Sequence, residues 1–90
     1  MANIIGSAAL ETSVAGAEII PAVPLTWVNA YYSFNKFEFV NDQICTIKVN
    51  GGDPIYLRAN QGFKTEKGDI QVTSFKVVEA NITYNWIGHF

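Results

Sequence analysis

A strict alternation of charged and aromatic residues opens the middle of the chain at Lys36-Phe37-Glu38-Phe39. Successive side chains of a β-strand point to opposite faces, so both phenylalanines fall on one face and both charges on the other. The stretch therefore predicts a half-buried strand with one side toward a core and one toward solvent. Asn41-Asp42 follows it and predicts a turn.

Similar signals continue on both sides of this segment. Asn50-Gly51 supplies the positive φ angles that a tight hairpin needs, so it predicts a turn between two strands. Polar turns are expected at residues 60–62 and 65–69. Alternation near residues 75–78 shifts, which indicates a bulge. We expect about six strands, at residues 26–34, 36–39, 44–49, 55–59, 70–79 and 82–87. In the last of these, alternation places Ile82, Tyr84 and Trp86 on one face.

Short strands separated by turns about every 8–12 residues are typical of a β-sandwich or small barrel. The 90 residues suffice for one domain. We therefore predict an all-β fold, a small antiparallel sandwich or barrel. Residues 1–25 are expected to form an extended N-terminal arm or edge segment, and residues 26–90 the β domain. A helix over 7–17 is disfavoured by Thr12, Ser13, Val14 and Gly16.

The composition indicates a folded protein with more apolar residues than a small core can bury. Hydrophobic residues make up 49% and charged residues 16% of the chain, against a usual charged fraction of about 25%. A small core leaves some of that apolar surface uncovered, and a subunit interface is the simplest place for it. The net charge of −2 and the scattered basic residues argue against nucleic-acid binding.

Charge is distributed unevenly along the chain. The only charged residues among residues 1–35 are Glu11 and Glu18, and residues 80–90 contain no Asp, Glu, Lys or Arg. Uncharged ends rich in aliphatic and aromatic residues indicate ends tied to this core or to a neighbouring copy. From these ends and the adjacent aromatics we predict interface residues, namely Ile4, Ile5, Ile19, Ile20, Trp27, Tyr31, Tyr32, Trp86 and Phe90.

The residues that usually carry catalysis or bind metals are sparse. Cys45 is the only cysteine and His89 the only histidine. A structural zinc site needs four nitrogen or sulfur ligands, and a hydrolytic triad needs a positioned histidine base. Cys45 lies in an apolar run and is expected to be a buried hydrophobe. We therefore expect a non-enzymatic protein with no catalytic, cofactor-binding or metal-binding residues.

The sequence also predicts where the protein is made. Its start lacks the basic and apolar regions of a secretory signal, and no apolar run reaches the length of a membrane span. We expect synthesis in a cytoplasm and no membrane partner.

Two stretches carry a resemblance to a known group of proteins. They are residues 49–63, which include the Asn50-Gly51 hairpin and Gly62-Phe63, and residues 74–88, which end in an aromatic strand. In these the chain resembles small virion proteins of tailed bacteriophages. That group includes capsid decoration (cement) proteins, head fibres, and tail or baseplate subunits. The resemblance implies a virion structural protein without catalytic residues.

Two functions follow as hypotheses. The first is a capsid decoration protein, made in the host cytoplasm, that forms a homo-oligomer such as a trimer and docks on a major capsid or other virion protein. The second is a carbohydrate- or receptor-binding module of a tail or head fibre, motivated by the aromatic content and the neutral loops at 29–33 and 60–63.

Overall fold

The computed structural model describes residues 3–24, 26 and 31–90. These residues form eight β-strands and no helix, which confirms the all-β prediction. The strands are β1 (Ile4–Gly6), β2 (Glu11–Thr12), β3 (Lys36–Asn41), β4 (Cys45–Val49), β5 (Ile55–Leu57), β6 (Phe63–Thr65), β7 (Phe75–Val77) and β8 (Thr83–His89).

The strands form two antiparallel sheets, as a small β-sandwich requires. In the first sheet, β8 pairs with β3 on one side and with both β1 and β2 on the other, and β6 pairs with the far side of β3. In the second sheet, β4 lies between β5 and β7. The chain thus crosses repeatedly between sheets, and β3 and β8 form the centre of the larger one.

The core between the sheets is aromatic. Phe37 and Phe39 of β3 are both buried, as the alternation predicted. Phe75 of β7 reaches them from the opposite sheet, with ring centroids 5.0 Å from Phe37 and 4.7 Å from Phe39. Ile82, Tyr84 and Trp86 face together, as predicted, and all three are buried. Burial of these side chains contributes to the stability of so small a domain.

The predicted hairpin between β4 and β5 is confirmed. Asn50 has φ of 54° and Gly51 has φ of 72°, and the Gly52 amide donates to the Val49 carbonyl at 2.9 Å. Two consecutive positive φ angles define the turn whose twist matches a hairpin. The Asn50 side chain also accepts hydrogen bonds from the amides of Thr73 and Ser74, so the turn holds the start of β7 in place.

The described part of the N-terminal segment is extended and pairs within its own chain. β1 and β2 lie against β8, and the segment then crosses to the second sheet at the buried Ser13. There the amides of Gly16 and Ile19 donate to carbonyls of β7. The segment therefore closes one side of the sandwich instead of projecting from it.

Two strand predictions need correction, and one strand was missed. The strand expected at 70–79 is reduced to β7. Before β7, the Asn50 side chain binds the amides of residues 73 and 74. After β7, the Glu79 carboxylate accepts the Thr46 amide in the place where the next backbone hydrogen bond would form. Of the strand expected at 26–34, residues 27–30 lie outside the described residues, and Phe34 makes a single bridge to Val72. The short strand β6 was not predicted.

β6 is placed by a buried amide. Asn41, at the end of β3, is fully buried. Its side-chain amide donates to the carbonyls of Gln43 and Arg58, and its oxygen accepts the Gly62 amide at 2.9 Å. A buried polar group needs such partners, and here they fix the corner from which β6 starts.

A close approach between β8 and the core yields a stability prediction. A Cβ added at Gly88 would lie 2.6 Å from Cδ1 of the fully buried Phe34 ring. Overpacking of this kind costs about 1–3 kcal/mol, so Gly88→Ala should lower the free energy of unfolding by that amount in urea titrations. The penalty should shrink in a Phe34→Leu background, where the ring is gone. Equal penalties in both backgrounds would contradict a steric cause, and Asn85→Ala on the exposed side of β8 is the control.

Candidate functional site

The predicted interface residues fall into three groups. Ile20, Tyr32 and Trp86 are buried in the core, which gives them a structural role within the single chain. Ile5, Ile19 and Phe90 are half-buried against that core. Ile4 and Tyr31 are 53% and 61% exposed, so these two offer surface to a partner. Trp27 lies outside the described residues.

The structure brings the two uncharged ends of the chain together. Asn3 and Phe90 exchange backbone hydrogen bonds at 3.2 and 2.9 Å, and β1 runs antiparallel to the end of β8. Residues 3–7 and 86–90, here called the neutral edge, contain no Asp, Glu, Lys or Arg. The exposed side chains of Ile4 and Ile87 lie on its outer face, beside a groove of about 330 Å³ along β1 and β8.

Among the described residues, five strands pair with another strand on one side only, namely β1, β2, β5, β6 and β7. The free side of β7 accepts the amides of Gly16 and Ile19, and three of the other four strands have nearby charge or proline. β2 contains Glu11, β5 follows Pro54 and precedes Arg58, and β6 contains Lys64, which forms a 3.0 Å ion pair with Glu66. Charges and prolines at an edge hinder pairing with another strand. β1 itself contains no charged residue or proline, and its nearest carboxylate is that of Glu11, which accepts the Ser7 hydroxyl at 2.6 Å. Among the described strands, β1 is therefore the edge least protected against strand addition.

A second exposed apolar surface lies on the outer face of the smaller sheet. Tyr56 of β5 is 59% exposed and opposes Thr46, whose carbonyl accepts the Val78 amide. Ile44 precedes Thr46 by two residues, so it shares the same face, and it is 57% exposed. We call Ile44, Tyr56 and Val78 the β4 face. The sequence carried a signal for them, since each alternates with a buried residue (Cys45, Leu57 and Val77).

Basic residues border the β4 face. Lys48 and Lys76 oppose each other in the β4–β7 register, and Arg58 follows β5 at the other side. None of the three forms an ion pair with any residue that the structure describes. Like charges directly opposite one another are unfavourable in a sheet. An acceptor surface that carries carboxylates would relieve this repulsion.

An exposed tyrosine lines a third surface. Tyr31 borders an open groove of about 300 Å³ together with Glu18, Pro21 and Thr73. The groove has an aromatic ring and polar groups of the kind that bind small neutral ligands. The Glu18 carboxylate is already engaged there, since it accepts the Phe75 amide at 2.7 Å and the Ser74 hydroxyl.

The candidate reactive groups are separated between the sheets. Cys45 is buried in β4, and burial, followed by the nearby Glu79 charge, raises the pKa of its thiol to about 11. A thiol held protonated is a poor nucleophile. His89 lies at the end of β8 in the other sheet, beside Lys36, Glu38 and Lys64. Across residues 3–24, 26 and 31–90, no group of three or more metal-ligating side chains comes together.

No protein-family model matches the chain, and no curated protein matches it. The described part of the chain also has no helix of the length and hydrophobicity needed to cross a membrane.

The Glu79 carboxylate yields a pH prediction. Burial of the carboxylate raises its pKa. The hydrogen bonds from Thr46 and from its own backbone lower the pKa by a larger amount in total, so the pKa lies below the usual glutamate value. A lowered pKa stabilises the fold above the unfolded pKa of about 4.3, and the effect is lost as pH falls through the folded pKa. Glu79→Gln should therefore lower the urea midpoint at pH 7 and differ little from the unmodified protein near pH 3.

The control for this measurement is Asp53→Asn, which removes one negative charge from an exposed turn. It separates the local effect at Thr46 from the change in net charge. A Glu79→Gln deficit that is equally large at both pH values would show that the carboxylate charge does not stabilise this position.

Proposed function

We propose that the protein is a non-enzymatic virion structural protein of a tailed bacteriophage, and most specifically a capsid decoration protein. In this role it is made in the host cytoplasm, associates with itself, and docks on a major capsid or other virion protein. The resemblance of residues 49–63 and 74–88 supports the phage assignment. The geometry supports an assembly role independently of that resemblance.

One observation carries the assembly role. A single 90-residue domain has two exposed apolar surfaces, the neutral edge on the larger sheet and the β4 face on the smaller one. Apolar surface left exposed on a small soluble domain marks sites of association. Two surfaces on different sheets allow one to contact a second copy while the other contacts a different protein.

The β4 face has the composition of a docking site. Tyrosine and arginine are enriched among the residues that dominate binding energy, and the pair Tyr56 and Arg58 lies here beside Ile44. The flanking Lys48 and Lys76 favour an acceptor with surface carboxylates and would speed its encounter through electrostatic attraction. We assign docking on the virion to this face.

The proposal predicts that the chain is a multi-copy component of particles purified from the phage that encodes it. Mass spectrometry of separated heads and tails should find it in the head fraction. When the purified protein is added to heads that lack it, Ile44→Lys with Tyr56→Ala should bind at least tenfold more weakly, because the substitutions remove the apolar centre of the face.

The matched control is Ile70→Lys, at a residue 59% exposed in a loop outside the β4 face. It should bind heads like the unmodified protein. A chain recovered free in the lysate and missing from heads would contradict the decoration role. Deleting residues 1–20 is unsuitable as a test, since it removes two strands and the buried Ile20.

A second candidate function, glycan or receptor binding, is favoured by the exposed Tyr31 beside its groove. A tyrosine ring with one free face can stack on a sugar. A glycan array probed with the purified protein should then show a signal that Tyr31→Ala abolishes and Tyr56→Ala retains. No signal above background, or a signal that Tyr31→Ala leaves intact, would reject this function. Trp86→Ala is no test, because Trp86 belongs to the core.

A further inference from the structure

We infer that β1 is a self-pairing strand: two copies of the chain join through antiparallel β1–β1 pairing centred on Ile5, which merges their larger sheets into one continuous sheet. The inference rests on the proposed assembly role and names the surface and symmetry of its self-association.

The backbone of β1 presents a free set of hydrogen-bonding groups. Asn3 exchanges both bonds with Phe90, and the Ser7 amide donates to the Trp86 carbonyl at 2.9 Å. Antiparallel ladders alternate, so Asn3, Ile5 and Ser7 direct their amides toward β8. The amides and carbonyls of Ile4 and Gly6 therefore point away from β8, along the open edge. These four groups are what a further strand would bind.

The register follows from which groups are free. If Ile5 lies on the two-fold axis opposite Ile5 of the second copy, each Ile4 is opposite Gly6 of the other copy. The amide and carbonyl of Ile4 then bind the carbonyl and amide of that Gly6, and the symmetric pair does the same, which satisfies every free group. A two-fold axis makes the contact closed and limits the assembly to two chains at this edge.

The side chains agree with this arrangement. Ile5 is half-buried and packs against the core, so two Ile5 side chains would meet on the inner side of the joined sheet. Ile4 and Ile87 lie on the outer side, where they are 53% and 40% exposed. Opposite Ile4 stands a glycine, whose missing side chain leaves room for the isoleucine. Pairing would cover apolar surface that a single chain leaves in water.

Charge favours a second copy as the occupant. The neutral edge carries no Asp, Glu, Lys or Arg of its own, and its one carboxylate contact is from Ser7 to Glu11. In the register with Ile5 on the two-fold axis, the two Ser7 residues lie at opposite ends of the pairing, so these like charges do not face each other. The same lack of charge gives no attraction toward a charged partner. The one-sided strands β2, β5 and β6 have Glu11, Arg58 and Lys64 in or beside them, and charges at an edge hinder strand pairing.

The test compares the full-length protein with two lysine variants by light scattering after size exclusion, at concentrations up to about 1 mM. The unmodified chain should form a dimer whose fraction rises with concentration. Ile4→Lys should raise the dissociation constant at least tenfold, since it places a charge on the pairing edge. Ile44→Lys changes a residue of similar exposure on the other sheet and should leave the dimer unchanged.

Amide hydrogen exchange on the unmodified chain adds a readout at single residues. The amides of Ile4 and Gly6 should exchange several-fold more slowly at high concentration than at low concentration, while that of the exposed Ile70 should not change. A chain that stays monomeric, a trimer, a dimer that survives Ile4→Lys, or Ile4 and Gly6 amides indifferent to concentration would each overturn the inference.

Failure here is distinguishable from failure of the proposed function. A monomeric chain that still docks on phage heads would reject β1 pairing and leave the decoration role intact. A dimer that depends on Ile4 but never docks on heads would support the pairing and reject the decoration role.

Discussion

The contact of Phe75 with β3 is the interaction on which the fold depends. Phe75 is the buried aromatic of the smaller sheet, and its ring lies 5.0 Å or less from those of Phe37 and Phe39 in the larger one. Phe63 of β6 joins the same ring at 5.7 Å. A domain of this size has few other ways to bury apolar area. Phenylalanine rings thus join the two sheets at this point, and the neighbouring strands must accommodate them.

Carboxylate and hydroxyl side chains complete the ladder where backbone pairing stops. Glu18 binds the Phe75 amide at one end of β7, and Glu79 binds the Thr46 amide just beyond the other end. Ser13 performs the same task between the sheets, since its hydroxyl accepts the Ile82 amide and donates to the Glu79 carbonyl. Such charged or buried bonds are costly to lose. They let short strands form an ordered sandwich with few regular backbone pairs.

The strength of local patterns explains how far the sequence could predict this structure. Alternation located β3 and the buried face of β8, and Asn50-Gly51 located the hairpin, because each depends on neighbouring residues alone. The strand at 70–79 was predicted too long because its ends are set by Asn50 and Glu79, whose partners are distant in sequence.

The candidate site was harder to predict because aromatic composition does not say which face of a strand is covered. Tyr31 and Tyr32 are adjacent, and the structure exposes the first and buries the second. The β4 face was missed although each of its residues alternates with a buried one, because alternation does not say which of two apolar neighbours is covered. An isoleucine at position 44 and another at 47 look alike in the sequence, yet one is 57% exposed and the other fully buried.

The placement of charged residues distinguishes the sheet edges that are protected against pairing with another chain from the edge that is left open to it. An unpaired strand invites association, and most edges of this sandwich carry a residue that opposes it. The uncharged residues lie at both ends of the sequence, and antiparallel pairing of β1 with β8 places them side by side in one edge. In the sequence these uncharged residues are divided between the two termini, but in the fold they form a single contiguous surface. That surface exists only because the fold joins the ends, so its selective lack of charge is a property of the folded chain.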